Sequence, residues 1–183
     1  SVEFAENPEP RCACVLLLDS SGSMEGAPIK ALNEGLQTFK ASLAQDSLAS
    51  RRVEIAIVTF DSKVELVQDF VTADDFEPPT LTAQGYTYMG TAINEGLDMI
   101  EARKEQYRTN GIAYYRPWIF MITDGEPQGE PDNIIKQAAQ RIKDDEANKR
   151  AAFFAVGVEN ANMSILEEIT VRVPLKLKGL NFK

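Results

Sequence analysis

Residues 12–24 read CACVLLLDSSGSM, and the break inside this stretch decides the fold. Cys12 to Leu18 is an unbroken apolar run, the pattern of a strand buried on both faces of a sheet. Polarity switches at Asp19, where the order Asp19, Ser21, Ser23 places one carboxylate and two hydroxyls in a turn. Gly22, between the two serines, relieves the backbone of that turn.

The pattern repeats outward from this point. Ile29, Leu32, Leu36, Phe39 and Leu43 recur at helical spacing, with Pro28 suited to a first turn. Residues 53–60 (VEIAIVTF) are separated from VELVQDFV only by Asp61, Ser62 and Lys63, which predicts a hairpin. A polar stretch over 72–88 precedes a helix marked by Met89, Ile93, Leu97 and Ile100. Asn110-Gly111 signals a turn, and WIFMIT, residues 118–123, is a second buried strand. Pro131 opens a helix facing inward with Ile134, Ile135, Ala138 and Ile142. Residues 151–158 are a further strand, 165–169 a short helix and 173–177 a last edge strand. Strands alternating with helices predict an α/β fold with a mainly parallel sheet, helices on both faces and one antiparallel edge. In such folds ligands bind beyond the carboxyl ends of the strands.

Composition narrows the function. The chain has 183 residues, 44% of them hydrophobic, with no histidine, two cysteines and a net charge of −9. Length and the absence of repeats or linkers fit one domain over 12–183, preceded by a polar N-terminal extension over 1–11. Its longest apolar runs fall far short of the roughly 20 residues that span a bilayer, so no membrane role is expected. The start lacks the layout of a signal peptide, which points to a cytoplasmic setting. The acidic balance argues against nucleic-acid binding. Lacking histidine, the chain has no Ser-His-Asp triad, Cys-His pair or His-ligated zinc site. Cys12 and Cys14 share one strand face, where a bridge would be strained, and read as buried, inert thiols.

Three segments distant in sequence then supply oxygen-bearing side chains at one edge of the sheet. They are the turn from Asp19 to Met24, the stretch from Gly85 to Gly90, and Asp124-Gly125-Glu126. Oxygen donors without thiolate or imidazole select Mg2+, Mn2+ or Ca2+ over zinc or copper, with Mg2+ favoured in a cytoplasmic chain. Ser21 and Ser23 can aim at one point, and Asp19 and Asp124 can neutralise the ion directly or through water. With the acids held back, the ion keeps charge for an anion such as a partner's carboxylate. Each segment also has a plainer reading: Asp19 and Ser23, Thr87, and Asp124 could each cap the helix that follows.

DSSGSM after a strand, GYTYMGTAI before a helix and ITDGEP after a later strand together resemble the von Willebrand factor A family, over nearly the whole chain. PRCACVLLLDSSGSM, YYRPWIFMITDGEP and FFAVGV are similar to its bacterial stand-alone TerY/YegL type, found in tellurite resistance and stress response. The resemblance implies a six-stranded Rossmann-like sheet in the order 3-2-1-4-5-6, strand 3 antiparallel. It also implies a metal-ion-dependent adhesion site (MIDAS), with Ser21, Ser23 and Thr87 as direct ligands and Asp19 and Asp124 acting largely through water. Thr87 is preferred to Thr91 because Thr87, Met89, Gly90, Ala92 and Ile93 fit the family pattern and Thr91 falls on its variable position. Glu126 reads as a solvated rim charge, and Met24, Glu25, Tyr86, Tyr88, Met89, Pro127 and Gln128 as the rest of the rim. The aromatic and basic stretch 107–118 should lie at the opposite pole. Family members usually close with one more helix, which this chain is expected to lack.

The expected function is therefore binding, with no catalysis: a metal-dependent protein-interaction module that captures an aspartate or glutamate of a partner protein. The alternative is an Mg2+-dependent phosphoryl-transfer or hydrolytic enzyme using the same site. Asp19 is placed like the nucleophile of haloacid-dehalogenase-type phosphatases. Those need a second acid two residues on, where this chain has Ser21.

Overall fold

The computed structural model describes residues 2–177. Its elements follow the order α1 (Val2–Glu6), β1 (Cys12–Asp19), α2 (Ala27–Ala44), α3 (Ala49–Arg52), β2 (Val53–Phe60) and β3 (Val64–Thr72). Then come α4 (Met89–Thr109), β4 (Trp118–Thr123), α5 (Asp132–Ala147), β5 (Ala152–Gly157), α6 (Met163–Ile169) and β6 (Leu175–Lys176). The six strands form one sheet in the order β3-β2-β1-β4-β5-β6. Only the β2–β3 pair is antiparallel, as the three-residue spacing between its strands predicted.

Both faces of the central strands are covered, which is why CACVLLL contains no polar residue. Ala13, Val15 and Leu17 on β1 join Ala56, Val58, Ile119, Met121, Phe153 and Ala155 under α4, α5 and α6. Cys14, Leu16 and Leu18 join Ile55, Ile57 and Ile122 on the other face, beneath Leu32 and Leu36 of α2 and the ring of Phe76. Burial pushes both cysteine thiols well above their ordinary range, which disfavours the reactive thiolate, although only Cys14 is buried and Cys12 is partly exposed. On this second face, over β4 and β5, Phe120 and Phe154 stack at 4.9 Å, and Trp118 beside them is 45% exposed.

The N-terminal segment differs from a polar extension. Phe4 on α1 is 5% exposed, packs edge-on to Tyr107 at 5.9 Å and lies under the Arg103 guanidinium at 4.9 Å. Arg11 is completely buried and bonds Glu54. One aromatic ring and a paired guanidinium suffice to dock a segment whose composition is otherwise polar. The last strand is shorter than expected: Leu175 and Lys176 pair with β5, and the Leu177 N–H adds a bond to Gly157 O at 2.8 Å. The expected absence of a closing helix concerns residues outside those described.

Candidate metal centre

β1 and β4 are neighbours, with Leu18 opposite Ile122. Their ends therefore bring Asp19 beside Thr123, whose hydroxyl donates to Asp19 Oδ2 at 2.7 Å. The other oxygen, Oδ1, accepts the Ser21 backbone N–H at 2.9 Å. Asp124, one residue past β4, makes the matching turn by accepting the Glu126 N–H at 3.1 Å. Ser21 Oγ and Ser23 Oγ lie 3.0 Å apart, and Ser23 Oγ is in hydrogen-bond contact with Asp124 Oδ2. Four of the five candidate residues are thus joined by side-chain contacts although they come from two strand ends.

Backbone bonds hold the third segment against these two. Gly22 N–H donates to Gly85 O at 3.0 Å, and Gln84 N–H to Ser20 O at 2.8 Å. Thr87 pairs with Gln128 through two bonds of 3.0 Å, in an isolated antiparallel bridge. Tyr88 N–H reaches Asp61 O on the hairpin tip at 3.0 Å. Thr87 is accordingly buried, 1% exposed, between the segments that carry Ser21 and Asp124. Thr91 is committed elsewhere, its hydroxyl donating to Glu130 at 2.8 Å.

The capping readings fail. The residues at the N-caps of α2, α4 and α5 are Gly26, Tyr88 and Pro131, and none makes a side-chain capping bond. Instead Glu130, which the sequence reading passed over, accepts from Gly90 N at 2.5 Å and Thr91 N at 3.2 Å. Thr123 was missed as well, although a hydroxyl immediately before the second aspartate was the available signal. Of the expected rim, Tyr86 is 58% exposed and Glu25, Glu126 and Gln128 also face solvent. Met24 and Met89 are fully buried and do not belong to it, because each packs into a core layer, Met24 beneath α2 and Met89 on the other face of the sheet.

Burial is the main force on Asp19. It raises the carboxyl to about 6, against the opposing effect of the Ser21 and Thr123 hydrogen bonds and with a further push from Asp124. No lysine or arginine among the described residues forms an ion pair with Asp19 or Asp124. Among the described residues, no three acidic, histidine or cysteine side chains converge. Hydroxyls are therefore needed to complete any cation site built on these two carboxylates. A buried carboxylate lacking a cationic partner, with serine hydroxyls gathered around its neighbour, is a donor set suited to a hard divalent cation.

Residues 14–174 match the family described as von Willebrand factor type A domain. No curated protein matches the chain. Among solved structures, the pilus adhesin SpaC of Lactobacillus rhamnosus GG in its open conformation aligns with a TM-score of 0.70 at 16% identity, over 93% of this chain and 28% of that one. The vWF domain of the type V pili tip protein Mfa5 from Porphyromonas gingivalis aligns at 0.66 and 10% identity, over 92% of this chain and 90% of that one. Proximal thread matrix protein 1 from the mussel byssus (crystal form 2) aligns at 0.61 and 14% identity, over 93% and 44%. The chain spans less than half the length of the Lactobacillus and mussel proteins. At these identities the likeness is one of fold.

Proposed function

The chain belongs to the von Willebrand factor type A domain family, and on that basis we propose that it is a metal-dependent protein-interaction module. It captures an aspartate or glutamate of a partner protein through one Mg2+ ion, with Mn2+ or Ca2+ as possible substitutes. The observation that carries this reading is the meeting of the Asp19, Ser21, Ser23 and Asp124 side chains at two strand ends, with no lysine or arginine paired to Asp19 among the described residues.

Ser21, Ser23 and Thr87 would hold the ion directly, and Asp19 and Asp124 would act through water. Such an ion supplies a positively charged open position for a carboxylate. The chain's part is to hold the donors in place. Thr123 and the Ser21 N–H fix both oxygens of Asp19, and the Thr87–Gln128 bridge fixes the loop of the third hydroxyl. The role inferred for the site is binding: its loops hold no histidine and one lysine, Lys63, and position 21, two residues past Asp19, is a serine where a phosphatase of the haloacid-dehalogenase type needs a second acid. Two of the proteins that share the fold are a pilus adhesin and a thread matrix protein, in keeping with a binding role. The TerY/YegL-like sequence style supports a bacterial, cytoplasmic setting in stress response or tellurite resistance. No helix among the described residues is long and apolar enough to cross a membrane.

The test is capture of partner proteins from a native-like lysate in Mg2+ and in EDTA, with identification of what elutes. Mg2+ should strengthen capture, and Asp19→Ala and Thr87→Ala should each abolish the gain. Equal capture by wild type in chelator and by both variants in Mg2+ would overturn the mechanism.

A further inference from the structure

The loops around the candidate centre carry a marked charge of their own. Residues 19–26, 61–63, 83–88, 124–131 and 158–162 contain seven acidic side chains and one basic one, Lys63. Their net charge is −6, in a chain whose total is −9. Backbone bonds gather them at one pole: Ser20 N to Phe60 O at 3.0 Å, Gln84 N to Ser20 O at 2.8 Å and Asn162 N to Asp124 O at 2.8 Å.

These acids fall into two groups. Asp19 is buried, Asp61 accepts from Ser20 Oγ and the Lys63 N–H, and Glu130 caps α4. Asp124 contacts Ser23. Glu25, Glu126 and Glu159 instead face solvent on three different loops. A divalent cation held by Asp19 and Asp124 offsets those two charges; of the exposed glutamates, Glu159 shares a hollow with Lys176, which leaves Glu25 and Glu126 as the outer negative charge. A carboxylate that arrives among other acids meets like charge on several sides. One that arrives beside lysine or arginine meets attraction. Tyr86, exposed among these loops, adds a ring face on which a cationic side chain can rest.

We propose that the partner surface presents its carboxylate from within a basic patch, as an aspartate or glutamate flanked by lysine or arginine. This rests on the metal-and-carboxylate reading above and adds the charge of the partner to it. Three immobilised synthetic peptides test it: one aspartate flanked by lysines, the same aspartate flanked by glutamates, and asparagine flanked by lysines. The intact chain is passed over each in Mg2+ and in EDTA at low ionic strength, and Mg2+ binding is followed in parallel by calorimetry.

In Mg2+ the lysine-flanked aspartate should be held at least about 10-fold more tightly than the glutamate-flanked one. EDTA, or asparagine in place of aspartate, should remove most of that binding. A Glu25→Lys, Glu126→Lys double variant should reverse the order of the two aspartate peptides. Calorimetric Mg2+ binding combined with an equal or inverted order, an order unchanged in the double variant, or no retention of any peptide overturns this proposal alone. Absence of Mg2+ binding, or retention indifferent to both EDTA and asparagine, overturns the metal reading on which it rests.

Discussion

Asp19 is where the strand pattern and the site chemistry meet. It ends a strand whose other residues are apolar, is completely buried, and has its carboxyl raised to about 6 chiefly by that burial. Without an ion, the folded chain holds a proton on Asp19 between about pH 4 and pH 6 while the unfolded chain has released it. Metal-free stability should therefore fall as pH rises through that window, and above it the cost of the buried charge is fully present. Asp19→Asn removes that cost. In EDTA near pH 7 the variant should be more stable than wild type by about 2 kcal/mol in urea unfolding, and Mg2+ should no longer stabilise it. A metal-free variant less stable than wild type would show that the carboxylate's hydrogen bonds outweigh its desolvation.

At the scale of elements, the junction of α4 with α5 and the loop before it does the positioning. α4 lacks a cap from its own N-cap residue and takes one from Glu130, forty residues away in sequence. The same carboxylate bonds both Gly90 and Thr91, so it ties the loop carrying Asp124 to the helix that follows Thr87. Gly90 allows the approach, since a Cβ there would stand 2.8 Å from the Ile135 backbone on α5 and 2.9 Å from Glu130 Oε1. Gly90→Ala should force α4 and α5 apart at a cost of about 2 kcal/mol in denaturant unfolding, and should weaken Mg2+ binding as well. Full stability with unchanged Mg2+ binding would mean that this junction does not set the site. Gly125 plays a comparable part beside Asp124. It has φ +83° and lies where a Cβ would be 2.7 Å from Asn162 O.

Across the whole molecule, the pole opposite the candidate centre is held by a buried ionic cluster. Glu54, at 0% exposure, accepts from Arg11 Nε at 3.3 Å, from Arg103 at 2.8 and 2.6 Å, and from the Tyr107 hydroxyl. One carboxylate thereby links the N-terminal segment, β2 and α4, with the Phe4 ring packed over both guanidinium groups. The pressure on Tyr107 is consistent with this: burial and the adjacent Glu54 push its hydroxyl far above the ordinary tyrosine range. Removing the carboxylate charge leaves two buried cations without their counterion. Glu54→Gln should lower stability by about 3–5 kcal/mol in equilibrium unfolding. A loss under about 1 kcal/mol would show that the cluster is incidental to the fold.

Some of this was legible along the chain. CACVLLL, VEIAIVTF and WIFMIT announce buried strands because burial on both faces removes every polar position, and the three residues 61–63 leave room only for a hairpin. The α/β class and the antiparallel edge follow from such local patterns. The same holds for the candidate residues at strand ends, since Asp19 and Asp124 each stand where an apolar run stops. Other features needed the tertiary structure. Glu130 caps a helix forty residues away, Thr123 orients Asp19 across a strand pair, and Arg11 enters the core by meeting Glu54. Met24 and Met89 fall out of the rim because packing buries them. Periodicity reports which way a residue faces within its own element. It does not report which distant group it meets, and side-chain hydrogen bonds and buried charge pairs depend on that meeting.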